Sequence, residues 1–226
     1  MVIDRRDTQR GELALRYAPD DGHYEIISNG VFLMDTRGGA SDRLLVTSAL
    51  DGRHKPARVI IGGLGVGFSL LAALQHPLVH HVTVIELEPT VIAWHDTHLA
   101  SISNGALRDP RVTVVCADLV EWLQRDDDRF DAICVDIDNG PDWTVTEHNA
   151  SLYGDNGLTS LRRRLNPAGT LTVWSAAASP DFDARLRRHF SDVRVMTVDV
   201  PRGAPDHVYV ARGPVARDTA TRTAGS

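Results

Sequence analysis

The chain has 226 residues, 42% of them hydrophobic, which is enough for one α/β domain with a complete core. Its 24 basic and 30 acidic residues give a formal net charge of −6, and no basic stripe is present, which argues against a nucleic-acid partner. No run approaches the length of a membrane helix and the first residues lack the apolar core of a signal peptide. We therefore predict a cytoplasmic protein with no membrane partner that acts on small molecules.

The N-terminal segment predicts a β-hairpin followed by a short helix. Asn29 and Gly30 stand between two apolar runs and can supply the positive φ angles of a tight turn. An amphipathic stretch over residues 41–50 then predicts a helix with Ser41 as its N-cap.

Residues 58–67, RVIIGGLGVG, form an apolar run that opens into four glycines. This pattern predicts a buried strand, a tight turn in which backbone N–H groups can approach a ligand, and a following helix. A second buried strand ends on Glu86, about twenty residues further on, where a carboxylate can bind the two hydroxyl groups of a ribose. The two features together indicate a nucleoside ligand.

The spacing of the glycines favours S-adenosylmethionine over a dinucleotide. Gly63, Gly65 and Gly67 form G-x-G-x-G, whereas the dinucleotide fingerprint needs its third glycine where Phe68 stands. The observed form is common in enzymes that use S-adenosylmethionine. The alternative interpretation is that the glycines only allow close packing of the strand against the helix.

The remainder of the sequence predicts a doubly wound, mostly parallel sheet. Apolar runs at 58–62, 82–87, 112–116, 131–137 and 170–175 alternate with helical segments, and runs at 193–200 and 207–211 predict an antiparallel hairpin at one edge. The predicted fold class is α/β, with a seven-stranded class I methyltransferase or Rossmann-like sheet after an N-terminal β-hairpin. We divide the chain into the hairpin and lead-in helix (1–50), the nucleoside-binding catalytic domain (51–212) and a disordered tail (213–226).

Parallel sheets bind ligands beyond the carboxyl ends of their strands, so the polar residues there are the site candidates. After the third strand, Asp118 is expected to accept a hydrogen bond from an adenine amino group or to cap the next helix, and its two oxygens allow both roles. Acidic groups at these ends suit a cationic ligand. The predicted cofactor-binding residues are Gly62, Gly63, Leu64, Gly65, Gly67, Glu86, Leu87, Asp118, Leu119 and Asp136.

Further motifs carry a family resemblance: IGGLGVG, VIELEPTVI, DPRVTVVCAD, FDAICVD and LYGDNGLTSLRRRLNPAGTL. With the hairpin before them, from about Tyr24 to Ala176, the chain resembles the spermidine synthase-like (polyamine aminopropyltransferase) branch of the class I S-adenosylmethionine-dependent transferases. The resemblance implies that Asp136 takes the place of a catalytic aspartate, which accepts a proton from an attacking amine while the aminopropyl group leaves methylthioadenosine. The implied donor is S-adenosylmethionine or its decarboxylated form, without a metal.

Departures from the family pattern fall where a polyamine would bind. The loop after strand four reads DIDNGPDW and not D-x-x-D-P-x-G-P, which brings Asp138 closer to Asp136, and neither the glutamine after the hairpin nor the Y-H-E motif of the next helix is present. We therefore predict that spermidine synthesis is poor or absent. Arg37 and Arg43 stand in the altered region, where a guanidinium would suit a carboxylate such as that of intact S-adenosylmethionine, the alternative being a solvated side chain.

The predicted catalytic residues are Asp136 and Asp138, and the predicted substrate-binding residues are Arg37, Asn139, Trp143 and Tyr153. The aromatic rings can offer π faces to a sulfonium or an amine. His95 and His98 have the i, i+3 spacing of a metal pair, but no third ligand follows at a recognisable spacing, so we predict no metal site.

Three classes of function stay open. The first is an S-adenosylmethionine-dependent transferase that moves a methyl, aminopropyl or 3-amino-3-carboxypropyl group to a small molecule. The second is an enzyme that cyclises S-adenosylmethionine at its γ carbon and releases methylthioadenosine. The third is a non-catalytic nucleoside-binding protein. Fold alone does not separate them, and a homodimer is a possible assembly for each.

Overall fold

The computed structural model describes residues 1–125, 128–200 and 203–215 and contains two β-sheets. The first sheet is antiparallel and four-stranded, in the order β1 (Val2–Thr8), β2 (Gly11–Ala18), β3 (His23–Ser28) and β4 (Val31–Asp35). The predicted hairpin is β3–β4, and its turn residues Asn29 and Gly30 have φ angles of 50° and 78°. The strands β1 and β2, which the sequence did not predict, extend this hairpin into a sheet.

The second sheet has seven strands in the order β10-β11-β9-β8-β5-β6-β7. These strands are β5 (Ala57–Gly62), β6 (Val79–Glu86), β7 (Val112–Cys116), β8 (Phe130–Val135), β9 (Leu165–Ser175), β10 (Phe190–Val198) and β11 (Asp206–Pro214). Strands β5 to β9 pair in parallel, and β11 lies antiparallel between β9 and β10. The predicted doubly wound, mostly parallel sheet is confirmed. Because β11 continues to Pro214, the start of the predicted tail is strand, and residues 216–226 of that prediction lie outside the described residues.

The helices are α1 (Ala40–Leu50), α2 (Phe68–Gln75), α3 (Pro89–Trp94), α4 (Ala100–Ser103), α5 (Leu119–Arg125), α6 (Asp155–Arg163) and α7 (Pro180–His189), with 3₁₀ turns at Ala106–Arg108 and Glu147–Tyr153. Their apolar faces cover both sides of the large sheet, because successive strand residues point to opposite faces. Ile61 of β5 packs with Leu45 of α1 in one layer, and Ile60 packs with Leu158 of α6 in the other.

Helix α1 begins at Ala40 after Gly39, whose φ is 85°, so the predicted N-cap role of Ser41 is wrong. The Ser41 hydroxyl instead donates a hydrogen bond of 2.7 Å to Asp206 at the start of β11. The division of the chain at residues 50 and 212 stays a proposal, and the packing of α1 on the large sheet favours a boundary before this helix. No helix in the described part of the chain is long and apolar enough to cross a membrane.

Candidate active site

The glycine turn between β5 and α2 is tightly packed on both of its flanks. Gly63, Gly65 and Gly67 have φ angles of 90°, 50° and 94°, which side chains with a Cβ rarely adopt. A Cβ on Gly63 would lie 2.1 Å from the backbone oxygen of Asp136, and a Cβ on Gly65 would lie 2.3 Å from Met34 Sδ. Close packing, the alternative role considered for these glycines, is therefore present, and it places the turn directly beside Asp136.

Glu86, the last residue of β6, is buried and bonded to the same turn. Its Oε2 accepts a hydrogen bond of 2.8 Å from the Leu64 N–H, and its Oε1 accepts one of 2.8 Å from the Glu88 N–H. Burial raises the pKa of the Glu86 carboxyl group despite these donors. Because each carboxylate oxygen has a second lone pair, both can still accept a hydroxyl proton from a ribose.

Asp118 follows β7 and caps helix α5. Its Oδ1 accepts from the Glu121 N–H at 3.1 Å and lies 3.7 Å from His148 Nε2, while its Oδ2 accepts no hydrogen bond from the described residues. The predicted capping role is thus observed, and Oδ2 keeps its capacity to accept a hydrogen bond. Leu119 closes the floor of this region, since a Cβ on Gly62 would lie 2.6 Å from its Cδ2. Leu87 lies alongside, its carbonyl oxygen 3.9 Å from the Cys116 thiol.

Asp136 lies just beyond the end of β8, where its N–H donates to the Gly62 carbonyl at 2.8 Å. Its side chain keeps partial contact with solvent but is largely surrounded by protein atoms. No described residue donates a hydrogen bond to this carboxyl group. Burial, and then the negative charges of Asp42, Asp206 and Asp138, raise its pKa well above the ordinary value.

Asp42 and Asp206 form with Asp136 what we call the acidic cluster, and the sequence did not predict these two members. Asp42 lies in the first turn of α1, and its pKa is raised by burial and then by the charge of Asp206. Asp206 is the first residue of β11. A signal for it exists in the sequence: in an antiparallel strand the first residue, not the last, lies at the edge where the parallel strands end.

Trp174 of β9 lies on the same face of the sheet as the acidic cluster. Val173 pairs with Val135 and Trp174 pairs with Val208, so Trp174 lies between the ends of β8 and β11. Trp174, Val208 and Cys134 all pack in the layer that contains α1, and Asp136 and Asp206 follow the same alternation. The half-buried indole therefore lies on the face of the sheet to which Asp136 and Asp206 also belong.

Asp138 is in a very different environment from Asp136. Its buried carboxylate accepts hydrogen bonds from the Val145 N–H at 2.6 Å, from Asn149 Nδ2 at 2.9 Å and from the Tyr153 hydroxyl at 2.8 Å. Burial raises the pKa of Asp138 while these donors lower it. Tyr153 is also buried, and its pKa is raised well above the ordinary value by burial and then by Asp138. The group that the sequence assigns to catalysis thus anchors the loop that follows it.

The other predicted substrate-binding residues are dispersed. The Arg37 guanidinium donates to Asp35 at 2.5 and 2.9 Å and lies 3.7 Å from Asp21, so it is held in an ion pair at the end of β4. The backbone oxygen of Asn139 accepts from the Ala176 N–H at 3.0 Å. Trp143 is 60% exposed. Arg43 lies over the Phe68 ring, 5.5 Å from its centroid.

Among the residues that the structure describes, no group of three His, Cys, Asp or Glu side chains could hold a metal ion.

Comparison with known families places this geometry in context. A family model described as "Spermine/spermidine synthase domain" matches residues 40–201. The chain belongs to this family. Its α/β sheet with an N-terminal antiparallel sheet is the fold that the sequence resemblance implied, so that resemblance is confirmed.

Curated relatives include polyamine aminopropyltransferases from three bacteria. Polyamine aminopropyltransferase 2 of Ralstonia nicotianae is 34% identical over 143 residues, covering 62% of this chain and 27% of the relative. Polyamine aminopropyltransferase 1 of Streptomyces coelicolor is 37% identical over 135 residues, covering 59% and 24%. Polyamine aminopropyltransferase 2 of Pseudomonas aeruginosa is 30% identical over 169 residues, covering 70% and 46%. The chain thus spans between about a quarter and a half of the length of these relatives.

Two solved structures share the fold. A spermidine synthase in complex with the transition state analogue AdoDATO superposes with a TM-score of 0.79 at 21% identity, covering 95% of this chain and 74% of the other. The spermidine synthase of Thermotoga maritima superposes with a TM-score of 0.75 at 20% identity, covering 95% and 73%.

Proposed function

We propose that this protein transfers an aminopropyl group from decarboxylated S-adenosylmethionine to an amine acceptor. The observation that carries the proposal is Asp136, an enclosed carboxyl group with no hydrogen-bond donor among the described residues, which lies beside the glycine turn and two further carboxyl groups. Such a group contributes no bond that holds the fold together. A cationic substrate would supply the missing partner.

The donor side of the site fits a nucleoside. Glu86 retains acceptor capacity for two ribose hydroxyls, Asp118 retains a free oxygen for an adenine amino group, and Leu119 supplies an apolar floor. The positive φ angles of the turn keep side chains away from the ligand. These residues would hold the nucleoside, and the donor would bring the sulfonium that makes its neighbouring carbon reactive.

The acceptor side has an excess of negative charge. The acidic cluster contains three carboxyl groups, and no described arginine or lysine forms an ion pair with any of them. An ammonium group of the donor's aminopropyl chain or of the acceptor would relieve the repulsion between them. The Trp174 ring would add a π face beside the acidic cluster.

The reaction that this arrangement suits is a direct displacement. The acceptor nitrogen attacks the carbon next to sulfur, so that a C–N bond forms and the C–S bond breaks. The bonding electrons pass to sulfur, which leaves as the neutral thioether of methylthioadenosine, and the proton lost by the new ammonium passes to Asp136. Proximity and preorganised charge would supply most of the acceleration.

The paired state of Arg37 favours the decarboxylated donor. A carboxylate of intact S-adenosylmethionine would need a free cation, but Arg37 is already bound to Asp35, and Arg43 packs over Phe68 and donates to the Gly38 carbonyl. The acidic cluster would also repel a substrate carboxylate. We therefore do not propose transfer of a methyl or 3-amino-3-carboxypropyl group, or cyclisation of the donor. Each of these reactions would be recognised by its products in the experiment below.

We further propose that putrescine is a poor acceptor. The glutamine and Y-H-E motif of the family pattern are absent, and the second carboxylate after β8, Asp138, already accepts hydrogen bonds from Val145, Asn149 and Tyr153. The acceptor must then be recognised through Asp42 and Asp206, which stand elsewhere around Asp136. A cytoplasmic location and a homodimer stay predictions.

The proposal is tested by product analysis. The protein is incubated with decarboxylated or intact S-adenosylmethionine, alone and with a series of diamines and triamines, and the nucleoside and amine products are identified by mass spectrometry. We expect methylthioadenosine and an aminopropylated amine only when the decarboxylated donor and an acceptor are both present. Asp136→Asn is the matched control for adventitious chemistry.

Other outcomes overturn the proposal in distinct ways. Adenosylhomocysteine would mean methyl transfer, and methylthioadenosine without an acceptor would mean that the donor reacts with itself. Efficient formation of spermidine from putrescine would overturn the statement about the acceptor but not the aminopropyl transfer. Nucleoside binding without turnover would favour the non-catalytic nucleoside-binding class, and the absence of both would contradict all three classes.

A further inference from the structure

His95, the residue after α3, is buried against the glycine turn and is 3% exposed. Its Nε2 lies 2.9 Å from the carbonyl oxygen of Gly65. A Cβ on Gly67 would lie 3.0 Å from His95 Cε1, so the ring also packs against the end of the turn. The ring that the sequence considered for a metal pair with His98 thus contacts two of the three glycines of the turn.

The contact fixes the protonation of the ring. A carbonyl oxygen only accepts hydrogen bonds, so Nε2 carries the proton and donates it to Gly65. The other nitrogen, Nδ1, is buried and has no hydrogen-bond partner among the described residues, which makes it the unprotonated nitrogen of a neutral imidazole. Burial lowers the pKa of His95, against the opposing effects of the hydrogen bond to Gly65 and then of the Asp96 charge.

We propose that His95 is a positioning residue for the donor, acting through the peptide group that joins Gly65 to Val66. A trans peptide is planar and holds its C=O and N–H on opposite sides. A carbonyl fixed towards His95 therefore holds the Val66 N–H on the other side of the peptide, away from the ring. Gly65, whose φ is 50°, gives this peptide conformational freedom on its N-terminal side, and the His95 bond selects one orientation. This inference rests on the proposed function, in which the turn binds a nucleoside donor.

The experiment compares His95→Gln with His95→Asn. The glutamine amide nitrogen can reach the position of Nε2, whereas the asparagine amide nitrogen reaches only that of Nδ1. We expect His95→Asn to weaken methylthioadenosine binding by calorimetry and to raise the KM for the donor by about tenfold, the effect of one buried hydrogen bond, with kcat and the KM for the acceptor nearly unchanged. His95→Gln should restore most of the affinity. His98→Asn, in the same segment, is the control and should bind like the parent.

Several results would overturn the inference. Equal affinity of the Gln and Asn variants would do so, and so would a parallel loss in both substrates, since that is the signature of general destabilisation. If neither variant folds, ¹⁵N NMR of the parent decides, because an Nδ1–H tautomer is incompatible with the bond to Gly65. A parent that binds no methylthioadenosine refutes the proposed function itself, while a parent that binds and an Asn variant that binds equally refutes only the role of His95.

Discussion

Two aspartates separated by one residue illustrate how environment assigns roles to identical side chains. Asp136 has no donor among the described residues, while Asp138 accepts three hydrogen bonds. A carboxyl group whose pKa is raised by burial and like charges is suited to receive a proton. A buried carboxylate that accepts three hydrogen bonds is suited to hold a loop in place. The identity of the neighbours, and not the motif, separates the proposed base, Asp136, from the residue that anchors the loop, Asp138.

Asp136→Asn should keep the shape of the site and remove the proton acceptor. Turnover should fall by about 10² to 10⁴, the usual contribution of a positioned base, while methylthioadenosine binding largely survives. Steady-state kinetics together with calorimetry measure both quantities. Turnover at the parental rate would show that another group is the base.

Asp138→Ala should act on stability. It leaves the Val145 N–H, the Asn149 amide and the Tyr153 hydroxyl without their acceptor, at a cost of about 1 to 3 kcal/mol for each buried group left unsatisfied. Tyr153→Phe removes a single one of these bonds and should cost about 1 kcal/mol. Urea unfolding compares the two variants. An Asp138→Ala protein that unfolds like the parent but does not turn over would restore Asp138 to the catalytic residues.

Glu86→Ala should weaken nucleoside binding by about 1 to 3 kcal/mol, because the ribose hydroxyls lose their acceptor. It should also lower the free energy of unfolding, since the Leu64 and Glu88 N–H groups lose theirs. Glu88→Ala, whose exposed partner is Arg10 at 3.5 Å, is the matched control and should change neither quantity by more than about 0.5 kcal/mol. Unchanged affinity of Glu86→Ala in calorimetry would remove Glu86 from the donor site.

At the scale of elements, the turn after β5 is constrained from three directions. Asp136 borders Gly63, Met34 of β4 touches Gly65, and His95 lies against Gly67. The N-terminal sheet therefore contacts the turn directly through one side chain. The turn has little room to shift without moving one of these neighbours.

Replacing a glycine with alanine can separate backbone strain from steric conflict. Gly52 has a φ of 74°, and a Cβ added there would meet no atom within 4 Å, so Gly52→Ala should cost about 1 kcal/mol from strain alone. Gly63→Ala adds a contact of 2.1 Å with the Asp136 backbone oxygen and should cost several times as much and abolish nucleoside binding. Chemical unfolding and calorimetry of the pair give the comparison. Equal losses of stability in the two variants would mean that the backbone between β5 and Asp136 can move apart at little cost in free energy.

Most elements of the large sheet could be predicted because buried parallel strands are short apolar runs between turn signals. Strand β1 could not, since VIDRRDT is mostly charged and exposed and lacks a clean alternation. The N-cap of α7 is a local contact, in which the Ser179 hydroxyl accepts from the Phe182 N–H at 3.4 Å. The capping of α1 was wrong, because Ser41 bonds to Asp206, 165 residues away, and no local pattern reports such a partner.

At the scale of the whole molecule, the site should make stability depend on pH. Burial raises the pKa values of Asp42, Asp136, Asp138 and Glu86 above their ordinary values near 4. At pH values between about 4 and the raised pKa values, the folded state binds more protons than the unfolded state. Stability is therefore gained as pH falls through this range and lost as pH rises through the folded-state pKa. The lowered pKa values of His81 and His95 act in the opposite direction below pH about 6.5.

The contribution of Asp136 to the pH dependence of stability is the difference in the free energy of unfolding between the parent and Asp136→Asn. We expect Asp136→Asn to be at least as stable as the parent at pH 7, because it removes a carboxylate that burial and three neighbouring charges disfavour. The difference should shrink as pH is lowered towards 4, where the parental group is already neutral in the folded state and begins to be protonated in the unfolded state as well. Urea unfolding of both proteins between pH 4.5 and 8 measures it. Parallel stability curves would show that Asp136 titrates normally.

The strand order has a consequence for how this architecture can change. The proposed donor residues follow β5, β6 and β7, on one side of the sheet, while the acidic cluster gathers α1, the end of β8 and the start of β11 on the other. The two groups of segments meet at the junction of β5 with β8, at the hydrogen bond from the Ser69 hydroxyl of α2 to the Asp42 backbone oxygen of α1, and where His148 approaches Asp118. The first turn of α1, the loop after β8 and the start of β11 could therefore be exchanged for those of another sequence, provided that these contacts are kept. Such an exchange should change the acceptor preference and leave the residues that we propose to bind the nucleoside in place. We expect chimeras built by such exchanges to retain methylthioadenosine affinity and to differ only in which amine they consume.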